Sequence, residues 1–339
     1  MPAELDAWLD QSREEALDPS LPICDPHHHL WDKLGDRYMI DEVTSDMGSG
    51  HNVVQSLFVE VDSMYRASGP PEMRPVGEVE WARGIGAQSD SGLYGPTKVS
   101  AGIVGYADLN LGAAVRPVLE AMELAGSGRF RSIRHTCSWD AYEPLRSHRS
   151  GWPGMMAESK FMEGFGVLIG MGHTFDALVY HPQLSELTGL VDAFPNAVFV
   201  LNHIGRPLGV GPYAGYRDEI FEVWKKEMTS LAERPNVMVK VGGLGNRVSG
   251  FGWDSQPMPP HSTELTEKTS PYYLHTIEAF GPKRCMFESN FPVDKSSYSY
   301  TAVWNSFKRM TKEFSDTEKA WLFHDTAAKA YRLPLLSKQ

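Results

Sequence analysis

Eight short runs rich in apolar and β-branched residues recur along the 339-residue chain, and stretches of helical spacing separate them. The runs cover 21–29, 53–62, 98–108, 129–138, 173–181, 197–205, 236–244 and 284–293. Helical patterns occupy 74–88, 111–126, 154–170, 182–194, 214–233, 269–280 and 298–313. Such alternation predicts an α/β fold in which eight parallel strands close into a (β/α)8 barrel. An open doubly wound sheet is the alternative, but it expects a glycine-rich phosphate turn after its first strand. Three histidines stand there instead. The fifth strand is placed at 173–181 and not at 165–171, because Lys160, Phe161, Phe165, Leu168 and Ile169 read as a helix with one buried face. A short amphipathic helix at 4–17 precedes the barrel, and an extra C-terminal helix at 316–331 is expected to pack outside it. No repeat or low-complexity tract divides the chain, so one domain is expected over 1–339. Loops rich in Gly, Pro and Ser are expected at 88–97, 139–153 and 245–265.

A barrel of this type does its chemistry where strands end and loops begin. Strand one ends in His27-His28-His29; as a strand, it turns His27 and His29 to one face and His28 to the other. Strand two ends in Glu60 and Asp62, strand four in Arg134 and His135, and strand five in Tyr180 and His181. Strand six ends in Asn202, His203 and Arg206. Lys240 lies within strand seven, and Glu288, Asn290 and Asp294 surround the end of strand eight. Ordinary structural roles compete with functional ones. Glu60 and Asp62 also read as solvated rim carboxylates, and Arg134 as half of an ion pair with a neighbouring strand. Lys240, inside an apolar run, requires a carboxylate partner or a pocket. His51, His148, His173 and His324 read as structural.

The formal net charge of −11 argues against a nucleic-acid or anionic-membrane surface and leaves room for a local basic pocket. Cys24, Cys137 and Cys285 are far apart in apolar surroundings, which reads as free thiols in a reducing compartment. No apolar stretch approaches the roughly 20 residues that span a bilayer, and the acidic N-terminus does not look like a signal peptide. A cytoplasmic protein is expected, acting on a small molecule, with its oligomeric state left open, a homo-oligomer included.

DPHHHLWD at 25–32, FDALVYHPQL at 175–184, VLNHIGRP at 200–207, VMVKVGGL at 237–244 and MFESNFPVDK at 286–295 resemble the amidohydrolase superfamily. The likeness is to the branch that contains 2-pyrone-4,6-dicarboxylate lactonase and the sugar-acid lactonases. It implies a distorted (β/α)8 barrel that hydrolyses a small lactone, ester or amide. His27 and His29 match the strand-one His-x-His, and His203 matches the strand-six histidine. Asn290 falls where the family usually carries the aspartate that activates water. An amide is no general base at neutral pH and a poorer metal ligand than a carboxylate. The carboxylated strand-four lysine of binuclear members is absent, which leaves one divalent ion, zinc or manganese, or none.

The expected reaction is attack of water on a carbonyl polarised by His27, His29 and His203, by hydrogen bonds or through one ion on those three imidazoles. Glu288, two residues before Asn290 and on its face, is the preferred base over Glu60, Asp294 and the histidines, with Asn290 holding the water. Glu60, Arg134, His135, Tyr180, His181, Arg206 and Lys240 are the substrate-binding candidates, and the three cations suit a substrate carboxylate. Aromatic residues of the rim loops (Trp139, Tyr142, Trp152, Phe251, Trp253) suggest a ring-shaped ligand. Two other readings are a metal-dependent decarboxylase of an aromatic or unsaturated acid and a non-catalytic metabolite-binding barrel. Loss of the strand-eight aspartate argues against the first and supports the second.

Overall fold

A computed structural model describes residues 3–33 and 35–335. The eight predicted strands are all present: β1 (Pro22–His28), β2 (Asn52–Val59), β3 (Lys98–Gly105), β4 (Phe130–Thr136), β5 (Thr174–Leu178), β6 (Phe199–Leu201), β7 (Val237–Val241) and β8 (Cys285–Phe287). They pair in parallel in chain order. Parallel neighbours buried on both faces account for the continuous apolar runs.

The barrel is closed by the segment after β8, not by β8 itself. Asn290 N–H donates to His27 O at 3.0 Å, and His29 N–H donates to Phe291 O at 2.7 Å. Asp25, inside β1, fastens the seam by accepting from Ser289 Oγ at 2.6 Å and Tyr300 Oη at 3.0 Å. The seam therefore carries the first and last catalytic candidates on adjoining backbone.

Seven helices cover the barrel: α3 (Val76–Asp90), α4 (Arg116–Gly126), α5 (Ser159–Gly170), α6 (Leu184–Ala193), α7 (Arg217–Ala232), α8 (Ser262–Phe280) and α9 (Tyr300–Met310). The aromatic face predicted for 154–170 is real, since Phe161 and Phe165 on α5 pack against Phe175 of β5. Four differences from expectation have physical causes. The N-terminal helix α1 (Ala3–Leu9) gives way to a 3-10 turn at Asp10–Ser12, well short of residue 17. Helix α8 starts at Ser262, inside the expected loop, where Ser262 N–H is capped by Glu14 Oε1 at 2.5 Å. A two-stranded ribbon (Trp31–Lys33 with Asp36–Tyr38) and α2 (Ile40–Met47) occupy 31–47, between the first two predicted strands.

The fourth difference matters for the site. The C-terminal helical segment from Asp316 to Ala330 does not pack outside the barrel. Ala327, Ala328, Ala330, Tyr331 and Leu333 share one buried cluster with the barrel-lining side chains Leu57, Val59, Val104, Val200 and Met286. Small alanines let the segment plug the N-terminal end of the cylinder. Tyr331 then reaches up inside it to Asp176 of β5, with its hydroxyl 2.8 Å from Oδ1.

Candidate active site

The imidazoles of His27, His29 and His203 converge at the C-terminal mouth. Ring centroids lie 4.9 Å apart for His27 and His29, and 4.5 Å for His27 and His203. His28 points to the other face, beside Phe58. His203 is delivered by a rare backbone device. His203, Ile204, Gly205 and Arg206 all have positive φ, at 54°, 49°, 73° and 43°. Each non-glycine residue there costs roughly 1–2 kcal/mol. Trp224 Nε1 donates to Ile204 O at 2.7 Å and holds the turn. Gly242 and Gly243 follow β7 because no side chain fits: a Cβ at Gly243 would lie 2.4 Å from His203 Nδ1, and one at Gly242 would lie 2.4 Å from Glu288 O.

Glu288 sits between two imidazoles. Its Oε1 accepts the His203 backbone N–H at 3.1 Å and lies 2.6 Å from His203 Nδ1. Its Oε2 lies 2.8 Å from His27 Nδ1 but out of line for a hydrogen bond. Burial pushes the Glu288 carboxyl up to about 8, with Lys240 opposing the shift. Burial, reinforced by neighbouring cations, pushes the three imidazoles well below their ordinary value, so they are neutral.

The partners of His29 and His203 fix their tautomers. His29 Nδ1 is 2.8 Å from Val59 O, which only accepts, so the proton is on Nδ1. Glu288 Oε1 already accepts the His203 backbone N–H, so His203 Nδ1 donates to it as well. His27 lies between two groups that only donate, Arg134 Nη1 at 3.3 Å from Nε2 and Lys240 Nζ at 3.3 Å from Nδ1, so these contacts do not select its tautomer. His29 and His203 thus keep a lone pair on Nε2. They present acceptors, not the hydrogen-bond donors expected for polarising a carbonyl.

Among the described residues, the group close enough to share one ion is His27, His203 and Glu288, whose ligand atoms lie within 4.8 Å of one another. Glu288 takes the place that the sequence suggested for His29. His203 Nε2 is buried and without a hydrogen-bond partner, which suits a ligand atom. The donor set fits one divalent ion. A second is opposed by Lys240, whose ammonium is 3.3 Å from His27 Nδ1, and by Arg134.

The other candidates divide. Glu60 is fully buried, with Oε1 2.6 Å from Arg134 Nε and Oε2 against Arg149 Nη2. Burial pushes its carboxyl up, but the two guanidinium groups outweigh that and hold it below its ordinary value. Glu60 therefore positions arginines instead of meeting substrate. Arg134 faces inward, His135 the opposite way. His135 packs against Phe161 and Tyr106, and its Nδ1 accepts Leu109 N–H at 3.4 Å, so it lies outside the cluster. Tyr180 donates to Leu145 O at 2.8 Å, and His181 Nδ1 accepts Leu208 N–H at 3.3 Å; both knit rim loops together. Lys240 has the carboxylate it required, with Asp176 Oδ1 2.8 Å away. Arg206 has no ion-pair partner among the described residues, and its Nε is buried without a hydrogen bond. Asn290 donates from Nδ2 to Asp294 Oδ1 at 2.7 Å and leaves its own Oδ1 unpartnered. Asp294, which also accepts from Tyr298 Oη at 2.7 Å, is occupied as a fastener.

The four histidines read as structural are each paired. His148 meets Asp62 at 2.7 Å, His173 meets Glu123 at 3.0 Å, His324 meets Asp325 at 2.9 Å and His51 meets Lys308 at 2.9 Å. Of the rim aromatics, Phe251 and Trp253 stack on each other at 4.4 Å, whereas Tyr142 and Trp152 stay exposed. Sequence reasoning missed Asp25, Asp176 and Arg149. Asp25 and Asp176 carry the signal that singled out Lys240, a charge inside an apolar strand run. Arg149, on the 139–153 loop, carries none. No helix among the described residues is long and apolar enough to cross a membrane.

A sequence family described as amidohydrolase matches residues 24–333. An uncharacterized protein, y4mH, of Sinorhizobium fredii is 32% identical over 92% of this chain and 99% of its own length. An L-fucono-1,5-lactonase of Burkholderia ambifaria is 24% identical over 80% of each chain. Among solved structures, an amidohydrolase from Burkholderia multivorans with bound zinc superposes with a TM-score of 0.70 at 22% identity, covering 92% of this chain and 99% of that one.

Proposed function

The chain belongs to the amidohydrolase family and is a hydrolase, and from that premise we propose that it opens a small lactone or ester of a carboxylated ring compound. The observation that carries this reading is the buried meeting of three neutral, lone-pair-bearing imidazoles with Glu288 at one barrel mouth that also holds Arg206, a guanidinium with no ion-pair partner among the described residues. The named lactonase relative and the predicted barrel order support it.

Glu288 takes a proton from the attacking water. Its raised pKa makes it a strong acceptor once ionised, and His203, donating from Nδ1, keeps Oε1 in place. Asn290 Oδ1, buried and unpartnered, accepts the water's other hydrogen. The oxygen bonds to the carbonyl carbon, the ring C–O bond breaks, and Glu288 returns the proton to the departing oxygen. Arg206 faces the substrate carboxylate, since no carboxylate among the described residues lies within ion-pair distance of its guanidinium. Arg134, braced by Glu60, donates toward developing oxyanion charge. His27, His203 and Glu288 would hold one divalent ion, which would supply Lewis-acid polarisation of the carbonyl. The site is that of a one-barrel, small-molecule enzyme.

The test is a lactone panel in pairs with and without a ring carboxylate, each run with and without chelator. Carboxylated members should turn over, and Arg206→Gln should raise KM about tenfold or more with a smaller change in kcat. Equal turnover of the carboxylate-free partners would remove the substrate assignment. Chelator sensitivity would assign the ion.

A further inference from the structure

A cavity of 380 Å³ opens at the opposite end of the barrel, between the lead-in to β1 and the C-terminal end of α9. Four cations line it: Lys308, Arg309, Lys312 and Lys319. Asp18 is the one carboxylate among the described lining residues, and Leu17, Leu21 and Phe323 supply an apolar wall. We propose that this cavity binds a small organic carboxylate with an apolar body, at a site separate from the catalytic mouth.

Charge accounting carries the argument. The Lys308 ammonium is buried and donates to neutral acceptors, Leu17 O and Asp18 O at 2.8 Å and His51 Nδ1 at 2.9 Å. Arg309 Nε donates to Ser262 Oγ at 2.8 Å, and Lys319 Nζ to Lys312 O at 3.1 Å. None of these three meets a carboxylate within ion-pair distance among the described residues. Lys312 has Glu313 alone, at 4.0 Å on an exposed edge. Cations at a helix C-terminus complement its dipole, but that dipole and Asp18 together offer about one and a half negative charges against four positive ones. Burial also lowers the Lys308 amine to about 8, with Asp18 opposing, as expected for a charge short of a counter-ion. An anion entering the cavity supplies it, and the apolar wall selects one with a hydrocarbon body over a bare inorganic ion. Because Lys308 holds the carbonyls that lead into β1, occupancy stiffens the base of the strand that carries His27 and His29.

Thermal melting of the full chain against benzoate, inorganic phosphate and chloride, at matched ionic strength, tests the site. Benzoate should raise Tm saturably by about 2 °C at ten times its Kd, with phosphate and chloride giving less than half as much. The charge reversals Lys312→Glu, at an exposed position, and Lys319→Glu, at a half-buried one, should together abolish the benzoate shift while lactone turnover stays at the wild-type level. Arg206→Gln, which weakens carboxylate capture at the mouth, should keep the shift. An identical response to benzoate and chloride, or an undiminished shift in the double variant, overturns the site. A phosphate shift equal to that of benzoate overturns the hydrocarbon-body requirement. Loss of the shift in Arg206→Gln alone would place the binding at the catalytic mouth.

Discussion

Lys240→Met separates a structural ion pair from the chemistry beside it. Lys240 and Asp176 are both fully buried, and the ammonium lies 2.8 Å from the carboxylate. At an effective dielectric of about 20, that separation corresponds to roughly 6 kcal/mol of attraction, most of it offset by desolvation. Removing the cation strands Asp176, and orphaning one partner of such a pair costs about 3–5 kcal/mol. Asp176 keeps three donors, Ser132 Oγ at 2.6 Å, Asn202 Nδ2 at 2.9 Å and Tyr331 Oη at 2.8 Å, which places the loss near the low end, about 3 kcal/mol. Asp176→Asn with Lys240→Met leaves a neutral pair of similar volume and should recover about 2 kcal/mol of that. Urea unfolding of the wild type, the single variants and the double variant gives the coupling directly. A single-variant loss below about 1 kcal/mol, or a double variant no better than Lys240→Met, refutes the reasoning. The double variant should still lose turnover, because Lys240 also stands 3.3 Å from His27 Nδ1.

Two further outcomes follow from buried carboxyls. Burial, with Glu60 adding, raises Glu78 to about 8, while its Oε1 accepts Val61 N–H at 3.0 Å and Ser63 N–H at 2.8 Å. Its folded pKa exceeds its unfolded one, so its contribution is complete below about pH 4 and is lost as the pH rises toward 8. Glu78→Gln should therefore gain on wild type by roughly 4 kcal/mol between pH 4, where the two are nearly equal, and pH 8 in urea melts; an unchanged difference across that range contradicts the assignment. Asn290→Asp sets a second carboxyl against Asp294, 2.7 Å away in the present pair, and the two must share a proton. It should lower kcat/KM about tenfold or more, and Asn290→Asp with Asp294→Asn should restore most of it. A single variant as active as wild type would show that the Asn290–Asp294 bond is irrelevant to the site.

The barrel was legible because each strand is buried on both faces, which writes an unbroken apolar run into the sequence. The convergence of His27, His29 and His203 was legible for the same reason: strand ends in a closed cylinder share one mouth. What the sequence concealed depends on direction and contact. Arg134 and His135 are neighbours in sequence, yet alternation sends one to the cluster and the other to Phe161. Glu60 looked like a substrate contact because nothing local reveals that Arg149, 89 positions away, closes on it. The plug by Ala327, Ala328 and Ala330 escaped notice because alanine at helical spacing suits an outer helix equally well. The tautomers of His29 and His203 rest on Val59 O and Glu288, partners that only the folded chain brings together.

Turnover of the best carboxylated lactone by His203→Ala and Glu288→Gln, each checked for an unchanged melting temperature, tests the imidazole–carboxylate cluster most directly. Both variants should lose at least about a hundredfold in kcat. Wild-type turnover by either one, in a folded protein, would contradict it.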